Sequence, residues 1–351
     1  MEQPTTQPPT PPAASAADFA PKDKPIPAED LEKAKKLIGD LSAAFQARVV
    51  GQDNLRQSLL VALINGGHIL LESVPGLAKT TAAQTLASSV KAGFHRIQCT
   101  PDLLPSDIIG TQIYNYGKGT FETQLGPVHT NFVLLDEINR SSAKTQSAML
   151  EAMQEHQTSI GGTIYKLPQP FLVLATQNPI EQEGTYELPE AQLDRFLLKE
   201  VLTYPTPDEE QEILARIENG TLSNDAPIPA VSDTQAVLYL QQLVKKVYID
   251  TAVKKYIIAI VQATRNPAAV IRPELGRYVQ YGASPRGSIT LMQVARALAL
   301  MDGRDYVTPD DVKTLRHSAL RHRIILNFEA VADAVHSETI IDEIFAVTQT
   351  P

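Results

Sequence analysis

The stretch from residue 69 to residue 81 constrains the fold more than any other, because it joins an apolar strand, a turn and the start of a helix. The run Ile69–Leu71 has the length and composition of a buried parallel strand. Pro75-Gly76 marks a turn, and apolar residues recur at helical spacing from residue 83 to residue 90. The pair Lys79-Thr80 stands where that helix begins. The stretch therefore predicts a loop whose backbone N–H groups and helix N-terminus face a phosphate.

This loop departs from the complete phosphate-loop pattern, G-x-x-x-x-G-K-[ST], at both outer glycines. Ser73 stands at the first glycine position and Ala78 at the second. A serine is compatible with the first position if its φ is negative, and Gly76 is free to take a positive φ. We expect Ala78 to open the helix, where alanine is the most favourable residue. Taken by itself, the stretch is also compatible with an ordinary strand–turn–helix that carries a surface lysine.

Two carboxylates follow a second apolar run, at residues 132–135. Asp136 and Glu137 stand at the edge where open parallel sheets bind ligands. We expect Lys79 to reach the β- and γ-phosphates of a nucleotide, and Thr80 and Asp136 to hold Mg²⁺, Asp136 through water. Glu137 would orient and polarise the attacking water. A strand that merely ends in solvated acids is the alternative, and the phosphate loop earlier in the chain argues against it.

Two further polar residues are suited to contact a nucleotide. Asn178 follows an apolar strand at residues 171–176, and its amide suits a hydrogen bond to the γ-phosphate or the water, or a turn before Pro179. Arg286 stands in the first turn of a helix that Ser284 is expected to cap. The helix dipole disfavours a cation there by about 0.3–1 kcal/mol. We therefore expect an anion opposite Arg286, which nucleotide phosphates would supply.

Hairpins and helix ends complete the local predictions. The glycine-rich region 103–130 predicts a hairpin inserted into a helix, and Gly161-Gly162 predicts a second, shorter hairpin. Ser232 and Thr308 are each predicted to begin a capping box. The cations between residues 316 and 323 are interpreted as the end of a helix, where they complement its dipole. The seven histidines show no metal-ligand spacing.

Composition limits the class of protein. A chain of 351 residues, 43% hydrophobic and 20% charged, buries a large core and is expected to hold two domains. Its net charge of −9 argues against a dedicated nucleic-acid binder, which is usually basic. The single cysteine, Cys99, excludes an internal disulfide and fits a reducing compartment. Without an apolar run of about 20 residues or a signal-peptide pattern, we expect a soluble cytoplasmic protein.

The domain organisation follows from changes in composition. Residues 1–26 are rich in Pro, Thr, Ala and Gln, and we expect them to form a disordered tail. Residues 27–204 carry the alternating strand and helix patterns of an α/β domain. A capping box that begins at Thr206 marks the boundary to a helical domain at residues 205–351.

Taken together, these motifs resemble those of MoxR-type AAA+ ATPases over roughly residues 30–335. The resemblance rests on seven short segments, which are V-V-G-Q (Val49–Gln52), V-P-G-L-A-K-T (Val74–Thr80), T-P-D-L-L-P-S-D (Thr100–Asp107), L-D-E-I-N-R (Leu135–Arg140), A-T-Q-N-P (Ala175–Pro179), L-P-E-A-Q-L-D-R-F (Leu188–Phe196) and S-P-R (Ser284–Arg286). It implies a three-layer αβα nucleotide-binding domain with a parallel sheet, followed by an all-α lid domain. It also implies ATP and Mg²⁺ as ligands.

The resemblance assigns roles to individual residues. Asn178 matches sensor 1, Arg286 matches sensor 2, and Arg195 matches the arginine finger that is given to a neighbouring subunit. An intrachain ion pair between Arg195 and Asp194 is the alternative. The inserts at residues 110–127 and 157–167 match the helix-2 and pre-sensor-1 inserts of the family. The implied nucleotide contacts are Val50, Gly51, Ser73, Val74, Pro75, Gly76, Leu77, Ala78, Lys79, Thr80, Thr81 and Asp136.

The same resemblance implies partners. Members assemble as rings, often hexamers, and act like chaperones that mature or activate a client protein, often one with a von Willebrand factor A domain. Three alternatives are the motor subunit of a chelatase-like complex, a nucleic-acid-remodelling motor, and a nucleotide switch that does not hydrolyse. The acidic net charge weighs against the nucleic-acid motor. The presence of Glu137, Asn178, Arg195 and Arg286 weighs against the switch. Neither nucleic acid nor stable membrane insertion is expected.

Overall fold

A parallel sheet of five strands organises the first part of the chain. The computed structural model describes residues 19–20, 26–74, 76–179, 186–222 and 228–351. In this part the structure contains, in chain order, α1 (Ala28–Gln46), α2 (Asp53–Asn65), β1 (Ile69–Glu72), α3 (Lys79–Ser89), β2 (Phe94–Gln98), α4 (Pro105–Ile109), β3 (Gly110–Asn115), β4 (Thr120–Leu125), β5 (Phe132–Asp136), α5 (Ala143–Glu155), β6 (Gln157–Ile160), β7 (Thr163–Lys166), β8 (Leu172–Gln177), α6 (Glu190–Leu193) and β9 (Leu198–Val201). The sheet order is β2-β5-β8-β1-β9, and every pairing is parallel.

The central strands β5 and β8 are apolar and buried along most of their length because helices cover both faces of the sheet. In β5, Phe132 and Leu134 belong to the core on one face, whereas Val133 and Leu135 belong to the core on the other. Alternate residues of a strand point to opposite faces, so a continuous apolar run serves two cores at once. The predicted three-layer αβα architecture is therefore confirmed.

The second part of the chain is mainly helical. It contains α7 (Pro207–Glu218), α8 (Thr234–Leu243), α9 (Thr251–Arg265), α10 (Pro273–Gly276), β10 (Val279–Tyr281), α11 (Pro285–Met301), α12 (Pro309–Thr314), α13 (Arg316–Leu320), β11 (Ile325–Leu326), α14 (Phe328–Ala332) and α15 (Ser337–Val347). A small antiparallel pair, β10 with β11, adds to the predicted helical lid. No helix within the described ranges is long and apolar enough to cross a membrane.

The lid shares a core with the sheet instead of having one of its own. One cluster of buried residues includes Leu71 on β1, Leu59 on α2, Ile260 on α9 and Leu298 on α11. The short helix α13 packs against β9, the edge strand of the sheet. Because this packing covers the free edge of β9, the lid lies along the side of its own sheet.

Two antiparallel hairpins interrupt the αβα layers, as predicted. The first consists of β3 and β4, and the second consists of β6 and β7, joined by Gly161-Gly162. The hydroxyl of Tyr165 in the second hairpin donates to Oγ1 of Thr123 in the first, at 2.8 Å. The two hairpins therefore form one connected surface.

Two predictions about chain ends and caps need correction. The predicted tail falls mostly on residues 1–18 and 21–25, which lie outside the described residues. Phe19 and Ile26 are described, however, and are 5% and 0% exposed in the core, so the prediction of disorder is wrong for these two. Both have large apolar side chains, and the burial of such side chains stabilises the folded state. The cap of α8 is Asp233, which accepts from the N–H of Ala236 at 2.8 Å, and not Ser232.

The burial of Ile26 predicts that this residue contributes to stability. Ile26→Ala should lower the free energy of unfolding by about 2–5 kcal/mol, because it leaves a cavity in the core. Ile217, which is 57% exposed on α7, offers a matched control, and Ile217→Ala should change it by less than about 0.5 kcal/mol. Urea denaturation followed by circular dichroism measures both. An equal effect of the two substitutions would contradict the burial of Ile26.

Candidate active site

The carboxyl ends of three neighbouring strands bring the predicted phosphate loop and the acidic motif together. The loop of residues 73–78 follows β1, Asp136 ends β5, and Asn178 follows β8, which lies between these two strands. Asn178 is buried at this edge, with 7% of its surface exposed. The amide of Ser73 donates to the carbonyl of Gln177 at 3.1 Å, which ties the loop to the end of β8. The predicted residues Lys79, Asp136, Glu137 and Asn178 thus belong to one edge of the sheet.

Two residues of the loop, Gly76 and Ala78, have a positive φ. Gly76 has a φ of +89°, as expected, and Pro75 lies outside the described residues. Ala78 does not open the helix as predicted; it precedes α3, with a φ of +52°. This left-handed conformation costs an L-residue roughly 1–2 kcal/mol. The second glycine of the usual pattern would adopt it without that cost.

The loop and the acidic motif enclose a cavity of about 350 Å³. Its lining consists of Gly76, Leu77, Ala78, Lys79, Thr80, Thr81, Arg96, Gln98, Asp136 and Glu137. Burial lowers the pKa of Lys79, and the nearby Asp136 and Glu137 oppose this shift. Next to Asp136, to whose carbonyl its N–H donates, burial raises the pKa of Cys99 to about 12, so its thiol remains neutral. A single ammonium group beside two carboxylates is suited to bind an anion together with a divalent cation.

The two carboxylates are held differently. Asp136 accepts from the hydroxyl of Thr176 at 2.7 Å and from Nε of Arg96 at 3.1 Å. Glu137 has a φ of +57°, and its N–H donates to Oγ1 of Thr176 at 2.8 Å. Its Oε2 lies 3.1 Å from Nε2 of Gln98 and 3.2 Å from Nε of Arg140. The strand end therefore directs Asp136 toward the sheet, whereas the left-handed turn at Glu137 redirects the next carboxylate.

The residues present fit a magnesium–nucleotide complex. Mg²⁺ is bound in nucleotide sites by one or two protein oxygens together with phosphates and water. Thr80 and Asp136 supply a hydroxyl and a carboxylate in the same cavity. Sequence reasoning missed Arg96, Gln98 and Thr176, which surround these groups. Their contacts with Asp136 and Glu137 join different strands, so no local pattern indicates them.

Val50 and Gly51 lie at the same edge of the sheet, beyond β9. The side chain of Gln52 donates to the carbonyl of Thr203 at 3.0 Å, just after the end of β9. A Cβ on Gly51 would lie 2.6 Å from Oε1 of Glu209, the third residue of α7, so only glycine fits this position without a shift. Residues 51–52 therefore pack beside the end of β9 and the start of α7.

Arg195 and Arg286 lie elsewhere. They line a second cavity of about 320 Å³, together with Gly67, His68, Phe196 and Leu197. These four residues immediately precede β1 and β9, so this cavity lies at the amino edge of the sheet. A strand of four residues spans about 13 Å. Neither Arg195 nor Arg286 is among the described residues that line the Lys79 cavity.

Within one chain, Arg286 faces a carboxylate and does not line the Lys79 cavity. Ser284 caps α11 as predicted, and Arg286 lies in the first turn. The anion opposite it is a carboxylate, because Nη1 of Arg286 is 3.8 Å from Oδ2 of Asp194. The lid lies along the amino-edge side of β9, and this placement carries Arg286 away from the phosphate loop.

The surroundings of Arg195 exclude an ion pair with Asp194. Asp194 pairs instead with Arg323, whose Nε lies 2.8 Å from Oδ1. Among the described residues, no carboxylate pairs with Arg195, which is exposed and donates only to the carbonyl of Leu150, at 3.5 Å. The guanidinium of Arg195 is therefore available to an anion outside its own chain.

Two of the cations at 316–323, which were interpreted as the end of a helix that complements its dipole, are instead buried beyond the end of α13. Arg323 is 4% exposed and His322 is 7% exposed. Burial lowers the pKa of Arg323 to about 10 and that of His322 well below its usual value. Both side chains contact the carbonyl of Phe196. Their position follows from the packing of α13 against β9, which the local sequence does not indicate.

Comparisons with known proteins indicate the family to which this fold belongs. The model of the ATPase family associated with various cellular activities (AAA) matches residues 68–198, and an AAA lid domain model matches residues 276–344. The chain is 47% identical to the chaperone MoxR1 of Mycobacterium tuberculosis over 88% of this chain and 81% of that protein. It is 31% identical to protein MoxR of Paracoccus denitrificans over 89% of this chain and 96% of that protein. A crystal structure from Cytophaga hutchinsonii, assigned as an ATPase, superimposes with a TM-score of 0.85 at 48% identity, over 92% of this chain and 97% of that chain.

Proposed function

Because this chain belongs to the MoxR family of AAA+ ATPases, we propose that it hydrolyses MgATP in a ring of identical subunits, with each active site shared by two neighbours. One observation carries the proposal. The cavity with Lys79 and Glu137 lies at the carboxyl edge of the sheet, whereas Arg195 and Arg286 lie at the amino edge. A head-to-tail arrangement of copies would place the amino edge of one against the carboxyl edge of the next, and such interfaces form rings when the rotation between copies closes. We propose a hexamer.

The residues of the first cavity divide the work of binding and hydrolysis. The loop N–H groups and Lys79 bind the β- and γ-phosphates. Thr80 would hold a magnesium ion directly and Asp136 through water, and the ion would supply positive charge to the phosphates. Glu137 orients the attacking water, and Gln98 and Arg140 hold its carboxylate through Oε2. Asn178 assists at the γ-phosphate from the end of β8.

This assignment predicts opposite effects for two substitutions. Glu137→Gln keeps the size of the side chain but cannot polarise water, so the variant should bind MgATP with nearly unchanged affinity and hydrolyse it very slowly. Lys79→Ala removes the cation that contacts the phosphates, so it should lose nucleotide affinity. Fluorescent-nucleotide titration and phosphate release measure the two effects. Hydrolysis by Glu137→Gln at the wild-type rate would show that Glu137 does not act on the water.

The shared site predicts complementation between two inactive variants. An arginine that stabilises the transferring phosphoryl group is worth roughly 10³–10⁵ in rate, so Arg195→Ala should be nearly inactive, and so should Lys79→Ala. Mixed rings should regain hydrolysis, because some interfaces join an intact loop to an intact arginine. Mixing at several ratios tests this, with light scattering to confirm that both variants assemble. Full activity of Arg195→Ala alone, or no recovery in mixed rings, would contradict the shared site.

We further propose that the ring remodels a client protein, which the two hairpins contact. Tyr116 is 91% exposed, Phe121 66% and Ile164 61%. Tyr114 contacts both Tyr116 and Phe121, with ring centroids 5.1 Å apart in each pair. Monomeric proteins rarely leave such a group of apolar side chains in water unless it binds a partner. A client with a von Willebrand factor A domain is our proposal for that partner, and the chaperone name of the Mycobacterium tuberculosis relative supports this class of function.

The hairpins are expected to matter for the client and not for the nucleotide. Tyr116→Ala, or a shortened Gly161-Gly162 hairpin, should leave basal hydrolysis intact and abolish its stimulation by the client. The client is first captured by co-purification with the Glu137→Gln variant, which should hold it. Val331→Ala is a matched control, because Val331 is also exposed, at 78%, but lies on α14 of the lid. If these variants lose both their folded structure and their basal hydrolysis, the hairpins only pack locally.

A further inference from the structure

The carboxylate of Asp194 connects the segment that carries Arg195 to the lid at two places. Its Oδ1 accepts from Nε of Arg323 at 2.8 Å. Its Oδ2 accepts from the hydroxyl of Ser284 at 2.8 Å and lies 3.8 Å from Nη1 of Arg286. Ser284 begins α11, whereas Arg323 follows α13, so one side chain holds two separate parts of the lid.

Arg323 completes this connection through the backbone. Its side chain is 2% exposed, and a buried guanidinium is tolerated only when its donors are satisfied. Nη2 donates to the carbonyl of Phe196 at 2.7 Å, and Nη1 donates to that of Leu197 at 3.2 Å. These are the two residues that follow Arg195. Arg323 of the lid therefore holds the backbone that follows Arg195, and it also holds the side chain of Asp194, which precedes Arg195.

The two exposed arginines are connected through the same carboxylate. Arg195 belongs to the sheet domain and Arg286 belongs to the lid, yet both lie next to Asp194. Any rotation of the lid against the sheet must either break the buried contacts of Arg323 or displace the segment of Arg195. Breaking the contacts would leave the buried guanidinium of Arg323 without partners, so displacement of the segment is the less costly response.

We propose that Asp194 and Arg323 are positioning residues, which hold Arg195 and Arg286 in one fixed relation so that both reach the neighbouring subunit's nucleotide as a single unit. This proposal rests on the shared active site proposed above. It adds that the lid of one subunit determines where that subunit's arginine finger lies. Neither Asp194 nor Arg323 itself contacts the nucleotide.

Complementation separates this role from a general defect. Asp194→Asn keeps the size of the side chain and one acceptor oxygen but removes the charge. Because a misplaced catalytic group costs about 10²-fold in rate, hydrolysis should fall by about this factor, while nucleotide affinity stays unchanged. Mixed with Lys79→Ala, the variant should regain activity, since its partner supplies correctly placed arginines. Mixed with Arg195→Ala, it should not, since neither copy supplies them.

The controls make each outcome decisive. Arg272→Met removes an exposed ion pair of the lid, in which Nε lies 2.8 Å from Oε1 of Glu343, and should leave hydrolysis unchanged. The double replacement Asp194→Leu with Arg323→Met leaves no unpaired buried charge and should reproduce the complementation pattern if Asp194→Asn alone does not fold. Wild-type hydrolysis by Asp194→Asn would overturn the proposal, and so would its recovery with Arg195→Ala or its failure to recover with Lys79→Ala. Failure of the Arg195→Ala and Lys79→Ala mixture would instead overturn the shared site itself.

Discussion

All five strands of the central sheet run in the same direction, and this single constraint divides the functional groups of the chain between two edges. The phosphate loop and the acidic motif each follow a strand, so they meet at the carboxyl edge. The segment of Arg195 precedes β9, so it lies at the amino edge. Side chains cannot bridge the length of a strand, about 13 Å for four residues. One chain therefore carries two separate groups of candidate site residues, and a second copy would bring them together in the proposed ring.

The lid follows the same division because it is attached at the edge strand. Glu200 of β9 is buried and accepts from the hydroxyls of Ser58 at 2.7 Å and Ser318 at 2.6 Å. Arg323 binds the chain just before β9. Such buried polar contacts add little net stability, yet breaking one by removal of a partner costs about 3–5 kcal/mol for a charged pair. Their main effect is therefore to specify one position of the lid relative to the sheet.

Sequence reasoning recovered what is encoded locally and missed what is encoded between elements. Lys79 and Asp136 were predictable because a strand, a turn and a helix start within a few residues determine where their side chains lie. The caps at Thr206 and Ser284 were predictable for the same reason. Thr176 and Arg323 act through contacts with residues 40 and 129 positions away, and no periodicity reports such a contact. The same limit explains why Arg286 was expected beside the phosphates, because the side on which a lid packs depends on these long-range contacts.

The two departures from the phosphate-loop pattern differ in their physical consequence. Ser73 replaces the first glycine at a position whose φ is not positive, and its hydroxyl donates to the carbonyl of Val74 at 3.0 Å, so a side chain is accommodated there without strain. Ala78 replaces the second glycine at a position with a φ of +52°, where the Cβ of alanine causes strain that glycine avoids. Glu137, in the opposing motif, is also left-handed, with a φ of +57°. Strained non-glycine residues persist only where the surrounding structure holds them, and they gather at sites where geometry serves function. Here both strained residues line the Lys79 cavity, and neither conformation could relax without turning an N–H group or a carboxylate away from it.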